Sequence, residues 1–270
     1  MTKNQARPSA LKVHLIREWQ AFFLAVQFLT VIPFLKIFPG SGSFRIKPKT
    51  QGRSLIWYPA VGLILGALLT MVAGLLPTPF YLTAVIIIAL WAILTGGLHL
   101  DGLADCADAW MGGLGDRDKT LRILKDPLCG AIGVLSLVLL LLLKTAALAA
   151  MISLGHWVWL WVIPLLSRLS LLLVFLTTPY VRPQGLGEVL ARHFPKSLAK
   201  GVLLVVSIVL FLVLPFSLWL LWVTIVLLVF GVVRSAALKR LQGFTGDIAG
   251  AQVELVEVAL LVAVCFIHVA

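Results

Sequence analysis

Three aspartates lie close together in an otherwise apolar chain, within the stretch GGLHLDGLADCADAWMGG at residues 96–113. Asp101, Asp105 and Asp108 are spaced i, i+4 and i+7, so a helix over 101–108 would place their carboxylates within one narrow arc. Like charges on one face repel each other and need a positive partner. Carboxylates without a thiolate pair are ligands that hard cations prefer, and we predict a Mg²⁺ or Mn²⁺ site. Because magnesium bound in this way leaves room for substrate phosphates, the pattern favours phosphoryl transfer.

The segment that follows has residues suited to the same chemistry. Arg122 and Lys125 can contact phosphate oxygens, and Asp126 can complete a metal shell. Gly130 and Gly133 permit the close approach of a backbone to another group. Six of the 11 acidic residues of the chain fall within the 26 positions from 101 to 126. We therefore expect one site that combines carboxylates with phosphate-binding cations.

Two points about this stretch stay open at the level of sequence. The alternative to a metal site is an ordinary charged loop, in which Arg117, Arg122 and Lys125 compensate the aspartates. His99 would point away from the aspartate face on a continuous helix, although the preceding Gly96-Gly97 pair could break that helix. The histidine is therefore either a structural residue or a general base or substrate ligand.

Two further groups of charged residues lie within apolar segments. Lys144 and Arg168 are far from the ends of their segments, so we expect each to face an interior anion, either a protein carboxylate or a substrate phosphate. Asp247, Glu254 and Glu257 are spaced i, i+7 and i+10, which places them on one helical face. They either pair with Lys144 and Arg168 or line the same cavity as the aspartates.

The composition indicates an integral membrane protein that must hold these residues in place. Hydrophobic residues make up 61% of the 270 residues, charged residues make up 12%, and the mean hydropathy is +1.06. The net charge of +11 is explained by basic cytoplasmic loops, so we expect no nucleic-acid partner. The N-terminus lacks the layout of a cleaved signal, and we expect it to be retained. Three scattered cysteines favour packing roles over disulfides or zinc.

The hydrophobic segments predict an all-α, polytopic helical bundle that forms a single membrane-embedded domain over residues 1–270. A spanning helix needs about 20 apolar residues. The run 201–234 is too long for one span and contains Pro215, so it predicts a helical hairpin. Counting that hairpin as two gives about seven spans, at 55–76, 80–98, 131–153, 155–177, 201–234 and 248–269. Residues 20–35 form an eighth, short apolar segment.

The charges of the loops predict an orientation. Basic residues recur in four loops, at 36–53, 99–130, 182–200 and 234–247, while the intervening turns carry no Lys or Arg. The basic side is expected to be cytoplasmic, which places the acidic motif in the cytoplasmic loop 99–130. If residues 20–35 spanned the membrane, the basic N-terminus would lie outside, so we predict a re-entrant or interfacial helix there.

The motifs of the chain resemble, in order over most of its length, those of the cobalamin synthase family, also called adenosylcobinamide-GDP ribazoletransferases. The most specific of them is the core G-G-x-H-x-D-G-L-A-D, which begins at Gly96. The other motifs are LRILKDPLCGAIGV, FLTVIPF at 28–34, WYPAVGLILG at 57–66, SR at 167–168, GLG at 185–187 and TGDIAGAQVELVE at 245–257.

The resemblance implies the final assembly step of vitamin B12 synthesis in the bacterial cytoplasmic membrane. Adenosylcobinamide-GDP and α-ribazole, or its 5′-phosphate, would give adenosylcobalamin, or its 5′-phosphate, and GMP, with a need for Mg²⁺. A ribazole hydroxyl would attack the phosphorus nearer the cobinamide, and GMP would leave. Neither the preferred form of ribazole nor its base follows from the sequence, and a homo-oligomer stays open.

The family motifs also imply roles for individual residues. The acidic motif falls on Asp101, Asp105 and Asp108, the histidine falls on His99, and the second acidic element falls on Asp126. The four aspartates would surround Mg²⁺, and Asp126 or His99 would act as the base nearest the nucleophile. Arg122 and Lys125 would steady the diphosphate, while Arg168, Lys144, Asp247, Glu254 and Glu257 are further candidates for substrate binding. Ala109 stands where the family commonly has glycine, and Pro127-Leu128-Cys129 replaces a more polar stretch.

Two other functions are less consistent with the sequence. A CDP-alcohol phosphotransferase of phospholipid synthesis would have a D-G-x-x-A-R motif, but Asp105 and Cys106 occupy its last two positions. A carboxylate-site transporter would place its acidic residues near the middle of the membrane and would show repeated halves. Here the acidic residues cluster at one predicted membrane edge, and the sequence has no internal repeat.

Overall fold

The computed structural model describes residues 10–32 and 47–266 of the chain, and this part is all-α. Short 3-10 turns lie at Leu55–Trp57 and His156–Trp159. The helices in chain order are α1 (Ala10–Leu29), α2 (Pro48–Ser54), α3 (Tyr58–Leu75), α4 (Phe80–Thr95), α5 (Leu98–Gly113), α6 (Arg117–Ile123), α7 (Ala131–Ser153), α8 (Val162–Thr177), α9 (Leu186–Arg192), α10 (Lys196–Val213), α11 (Phe216–Leu241) and α12 (Gly246–Val264).

Five helical segments are long and apolar enough to cross a membrane, which confirms a polytopic helical membrane protein. They are Pro48–Leu75, Ala131–Ser153, His156–Thr177, Lys196–Val213 and Phe216–Leu241. A sixth is obtained only when α4 and α5 are taken together. The described residues thus contain five or six candidate spans, where the sequence predicted about seven. The difference arises at α12, which carries three acidic residues, and at α4, which has only 16 residues.

The hairpin predicted at Pro215 is confirmed. Helix α10 ends at Val213 and α11 begins at Phe216, so Leu214 and Pro215 form the turn. Proline is tolerated there because it lacks only a backbone N–H that the first turn of a helix leaves unpaired. These two helices are the least buried spans, with 11% and 17% of their apolar windows inside the protein, against 72% for His156–Thr177. Their exposed leucines and valines are suited to contact with lipid.

Close helix contacts depend on glycine in the interior of the bundle. Gly62 and Gly66 on α3 lie one turn apart and face α8, where an added Cβ would overlap the carbonyl oxygens of Pro164 and Trp161. Such small residues allow two backbones to approach closely in a membrane. Helix α12 packs against α5, α7, α8 and α11, and Val253, Val256 and Leu260 are fully buried. Helix α12 is therefore the central element on which the acidic helix α5 rests.

The Gly96-Gly97 pair breaks the helix before the acidic motif, as the sequence allowed. Both residues have left-handed backbone conformations, with φ of 61° and 69°, which glycine adopts without strain. Helix α5 leaves the direction of α4 by 89°. The predicted loop 99–130 is therefore largely helical, since α5 and α6 occupy most of it.

The N-terminal segment differs from the expected limits. The segment expected at 20–35 belongs to α1, which begins at Ala10 and ends at Leu29, while residues 33–35 lie outside the described part. Glu18 on α1 forms an ion pair with Arg53 and accepts a hydrogen bond from the Trp57 indole at 3.3 Å. The helix is not among the candidate spans, and its interfacial or re-entrant position stays a prediction.

Candidate active site

The acidic face is formed by α5 and the first turn of α12. Residues 101–108 are helical, which is the condition that the spacing argument required, so Asp101, Asp105 and Asp108 lie on one side of α5. Two glycines allow α12 to contact this helix. A Cβ added to Gly102 would lie 2.7 Å from the carbonyl oxygen of Asp247, and one added to Gly250 would lie 3.3 Å from His99. This contact brings a fourth carboxylate, that of Asp247, to the three on α5.

The neighbouring carboxylates make Asp105 harder to ionise. Asp105 is partly buried, and desolvation together with the neighbouring Asp101, Asp247 and Asp108 charges raises the pKa of its carboxyl to about 6. Burial also raises the pKa of Asp247, although Arg182 opposes that shift. Arg182 also acts on the charge of Asp105, and the exposed Lys125 lines the cleft beside this face. The acidic face therefore has an excess of negative charge that a bound cation would relieve.

Asp108 is anchored to the start of α7. Its two carboxylate oxygens accept hydrogen bonds from the backbone N–H groups of Gly130, at 2.7 Å, and Gly133, at 2.8 Å. These donors are among the N–H groups that the first turn of a helix leaves unpaired, and a carboxylate there is also favoured by the helix dipole. The close approach predicted for Gly130 and Gly133 is thus made by a protein carboxylate. Asp108 fixes the acidic helix against the α7 span.

Replacing Gly133 with alanine is expected to destabilise the protein by about 1–3 kcal/mol, because the new methyl group would overpack this contact. The added Cβ would overlap the Asp108 carboxylate and would lie 3.1 Å from the carbonyl oxygen of Ala104. Thermal unfolding in detergent would measure the change.

The matched control for this prediction is Gly201→Ala, a helical glycine with no heavy atom near the added Cβ. That variant is expected to gain about 0.5–1 kcal/mol from helix propensity alone. Equal behaviour of the two variants would contradict the role given to the Asp108 anchor.

A loop between α8 and α9 brings Arg182 to the acidic face. Residues around Tyr180 and Phe244 form a short parallel bridge, in which Val181 N–H donates to Phe244 O at 3.0 Å and Phe244 N–H donates to Pro179 O at 2.9 Å. Arg182 then reaches Asp247, with 3.1 Å between Nη1 and Oδ2. The loop thus supplies a guanidinium to a carboxylate that lies 65 residues further along the chain.

A cleft of about 490 Å³ opens between the acidic face and the apolar ends of α1, α3, α8 and α9. One wall carries Asp101, Asp247 and Arg182. The opposite wall is apolar and aromatic, and it includes Leu29, Tyr58, Leu171, Phe175 and Leu190. This volume lies within the range of about 300–1,000 Å³ that is usual for small-molecule sites.

The predicted phosphate-binding segment is only partly at this cleft. Lys125 lines the cleft and is exposed. Arg122 and Asp126 are exposed but are not among the cleft residues, and Asp126 Oδ1 accepts a hydrogen bond from the N–H of Leu128 at 3.0 Å. Their roles at phosphate, metal and nucleophile remain predictions.

His99 is buried at the inner end of α5, lines the cleft and lies beside Arg168, with 3.5 Å between Nδ1 and Nη2. A guanidinium can only donate hydrogen bonds, so Nδ1 can take part in this contact only as an acceptor. The imidazole is then neutral, with its proton on Nε2. In this form His99 can donate a hydrogen bond towards the cleft, and it is poorly suited to accept a proton there.

The remaining predicted residues form a buried ionic network. Lys144 Nζ contacts Glu254 Oε2 at 2.9 Å and Glu257 Oε2 at 2.7 Å, and Arg168 forms an ion pair with Glu257. All four side chains are buried, and none of them lines the cleft. Of the two alternatives for Glu254 and Glu257, the structure shows pairing with Lys144 and Arg168. The interior anions expected for these two cations are thus protein carboxylates.

The acidic face suits Mg²⁺ only if the protein supplies part of the coordination shell and a bound substrate supplies another part. Within residues 10–32 and 47–266, no three His, Cys, Asp or Glu side chains are arranged to hold a metal ion by themselves. Mg²⁺ is usually held by one or two carboxylates, its own waters and substrate phosphates, so an all-protein cage is not required. The carboxylates suited to this are Asp101, Asp105 and Asp247, whose charges repel one another and are not anchored as that of Asp108 is.

Sequence reasoning missed three residues of the cleft. Arg182 was visible only as one of several cations in a basic loop. Tyr180 and Tyr58 are aromatic residues in apolar surroundings, a pattern that is also typical of ordinary packing. The GLG motif at 185–187 could have indicated Tyr180. Gly185 and Gly187 pack against the Tyr180 side chain without room for a Cβ, so glycine is needed at both positions.

The amino-acid sequence of the chain matches known proteins of one family. A family model described as cobalamin-5-phosphate synthase matches residues 21–265. The adenosylcobinamide-GDP ribazoletransferase of Stutzerimonas stutzeri is 50% identical over 242 residues, which cover 88% of this chain and 95% of the relative. The enzymes of the same name from Pseudomonas putida and Pseudomonas aeruginosa are 46% and 47% identical, over 89% and 90% of this chain and 96% and 97% of their own lengths. No solved structure matches the chain.

Proposed function

The chain belongs to the cobalamin-5-phosphate synthase family and catalyses the adenosylcobinamide-GDP ribazoletransferase reaction, the final step of cobalamin synthesis, and we propose that this reaction takes place in the cleft beside α5 and α12. The observation that supports the location is the packing of α5 against α12, which brings four carboxylates to one face, two of which, Asp101 and Asp247, line the cleft together with Arg182.

The transfer joins an α-ribazole hydroxyl, free or as the 5′-phosphate, to the phosphorus nearer the cobinamide. A new O–P bond forms, the bond from that phosphorus to GMP breaks, and the hydroxyl proton must leave. His99 is poorly suited to take that proton, because its Nδ1 faces a donor-only guanidinium. Of the two proposed bases, Asp126 therefore stays; it is not itself a cleft residue but directly follows Lys125, which lines the cleft.

The acidic face would bind the diphosphate through Mg²⁺ held by Asp101, Asp105 and Asp247. When bound there, the cation supplies neutralisation of the charge that develops on the phosphate oxygens. Arg182 and Lys125 line the same cleft and would contact the diphosphate directly. Asp108 holds α5 against α7 and thereby keeps the other carboxylates in register.

The cleft would open to the cytoplasm. The basic loops favour that side, and both substrates and GMP are polar molecules that need access from water. The exposed apolar faces of α10 and α11 are suited to contact with the lipid of the bilayer. In a bacterium this membrane is the cytoplasmic membrane.

The test is the release of GMP by the purified protein in detergent. We expect GMP from adenosylcobinamide-GDP only when both α-ribazole, or its 5′-phosphate, and Mg²⁺ are present. Reactions without ribazole, and reactions with EDTA, serve as controls. Release of GMP without ribazole would indicate hydrolysis, and full activity in EDTA would contradict the proposed metal.

A further inference from the structure

One buried polar atom at the cleft lacks a partner. Tyr58 is only 2% exposed, yet its hydroxyl makes no hydrogen bond to the described residues. A buried hydroxyl without a partner costs free energy, so such groups in native structures call for an explanation. The Ser54 hydroxyl lies near the Tyr58 hydroxyl and interacts with it, but it donates its own proton to the carbonyl oxygen of Gln51 at 2.6 Å and does not form a hydrogen bond of ordinary geometry with Tyr58. Since Tyr58 lines the cleft, a ligand that fills the cleft is the natural partner.

The surroundings of Tyr58 favour a flat, weakly polar ligand. The Phe28 ring stacks on the Tyr58 ring with centroids 6.0 Å apart and planes inclined by 17°. Leu29, Leu171 and Phe175 complete an apolar wall around this pair. Aromatic and aliphatic side chains of this kind contact planar rings well, and a single polar group among them fixes the orientation of the ring.

The substrates of the transfer differ in how well they match this wall. A corrin macrocycle is several times larger than a nucleoside and does not suit a cleft of about 490 Å³. Guanine carries a carbonyl, an amino group and ring N–H groups, which would lose hydrogen bonds against apolar side chains. The base of α-ribazole is a benzimidazole, whose only polar atom outside the glycosidic bond is one unprotonated ring nitrogen. That nitrogen is an acceptor and matches one hydroxyl donor.

On the basis of the proposed function, we propose that Tyr58 donates a hydrogen bond to the free ring nitrogen of the ribazole base and that the Phe28 and Tyr58 wall holds the benzimidazole rings. Tyr58 thereby selects bases that have an acceptor nitrogen at this position. The ribose then lies towards the acidic wall of the same cleft, where Asp101 and Asp247 are found.

The experiment compares two probes and three proteins. The probes are α-ribazole and the matched indole nucleoside, in which C–H replaces the free ring nitrogen. Wild type, Tyr58→Phe and the control Tyr81→Phe, at an exposed position on α4, are titrated in detergent. Wild type and the control are expected to bind α-ribazole about tenfold more tightly than the indole nucleoside. Tyr58→Phe is expected to bind the two probes within about twofold of each other.

Three further measurements distinguish the possible failures. Tyr58→Phe should keep the melting temperature of wild type, and it should raise the KM for α-ribazole while kcat is retained. A marked loss of stability, or Ser54→Ala reproducing the binding defect, would show that the hydroxyl serves the protein and would overturn the inference. Retained preference in Tyr58→Phe, with normal GMP release, would overturn this inference alone. Absence of GMP release by wild type would overturn the proposed function itself.

Discussion

Replacing Asp105 with asparagine is expected to reduce GMP release by about 100-fold or more, the size of effect that follows loss of metal support at a site. Asp105 lies at the centre of the acidic face, where Asp101, Asp247 and Asp108 all act on its charge. Asparagine keeps the size of the side chain but cannot supply a negative oxygen. Raising Mg²⁺ should restore part of the activity if weakened binding of the cation is the cause. Steady-state GMP release over a Mg²⁺ titration would measure both effects.

The stability of Asp105→Asn should move in the opposite direction from its activity. Removing one of several like charges relieves repulsion, so the melting temperature without added metal should be equal to or higher than that of wild type. The matched control is Asp118→Asn, an exposed aspartate on α6 outside the cleft. That variant should keep nearly full activity. An equal loss in both variants, or a collapse in stability of Asp105→Asn, would contradict a functional role for the acidic face.

The acidic helix was predictable because it depends on local spacing. The i, i+4, i+7 pattern fixes which side chains share a face, and the Gly96-Gly97 pair supplies the only backbone that accepts two successive left-handed residues without strain. The hairpin at Pro215 is local in the same sense. These features need no knowledge of how distant segments pack.

The partners of the site could not be predicted, since they come from distant segments. Asp108 meets N–H groups 22 and 25 residues away, and Arg182 meets a carboxylate 65 residues away. A basic loop offers several equivalent cations, and only the packing of α8 against α12 selects among them. The acids on α12 are a related case, because they are paired inside the bundle by cations on other helices, and the sequence of α12 alone does not show those partners.

Glu257→Gln is expected to lower the free energy of unfolding by about 3–5 kcal/mol, the usual cost of removing one partner from a buried ionic network. Glu257 is fully buried and accepts from Lys144, Arg168 and Ser167. In wild type two cations face two anions, so the network is neutral. The single variant leaves an uncompensated positive charge in the buried interior. Thermal unfolding in detergent would report the loss, and Glu188→Gln, in an exposed pair with Arg192, should cost less than about 1 kcal/mol.

The decisive variant combines Glu257→Gln with Lys144→Met, because it removes one charge of each sign. Arg168 and Glu254 then remain as a neutral pair, while the methionine fills the apolar space of the lysine stem beside Trp91. The double variant should therefore be more stable than Glu257→Gln alone, in spite of its additional substitution. Such a strong departure from additivity is expected only where two residues share one network. If the two losses simply add, charge balance is not what holds α7, α8 and α12 together, and the packing of their apolar side chains must carry that role.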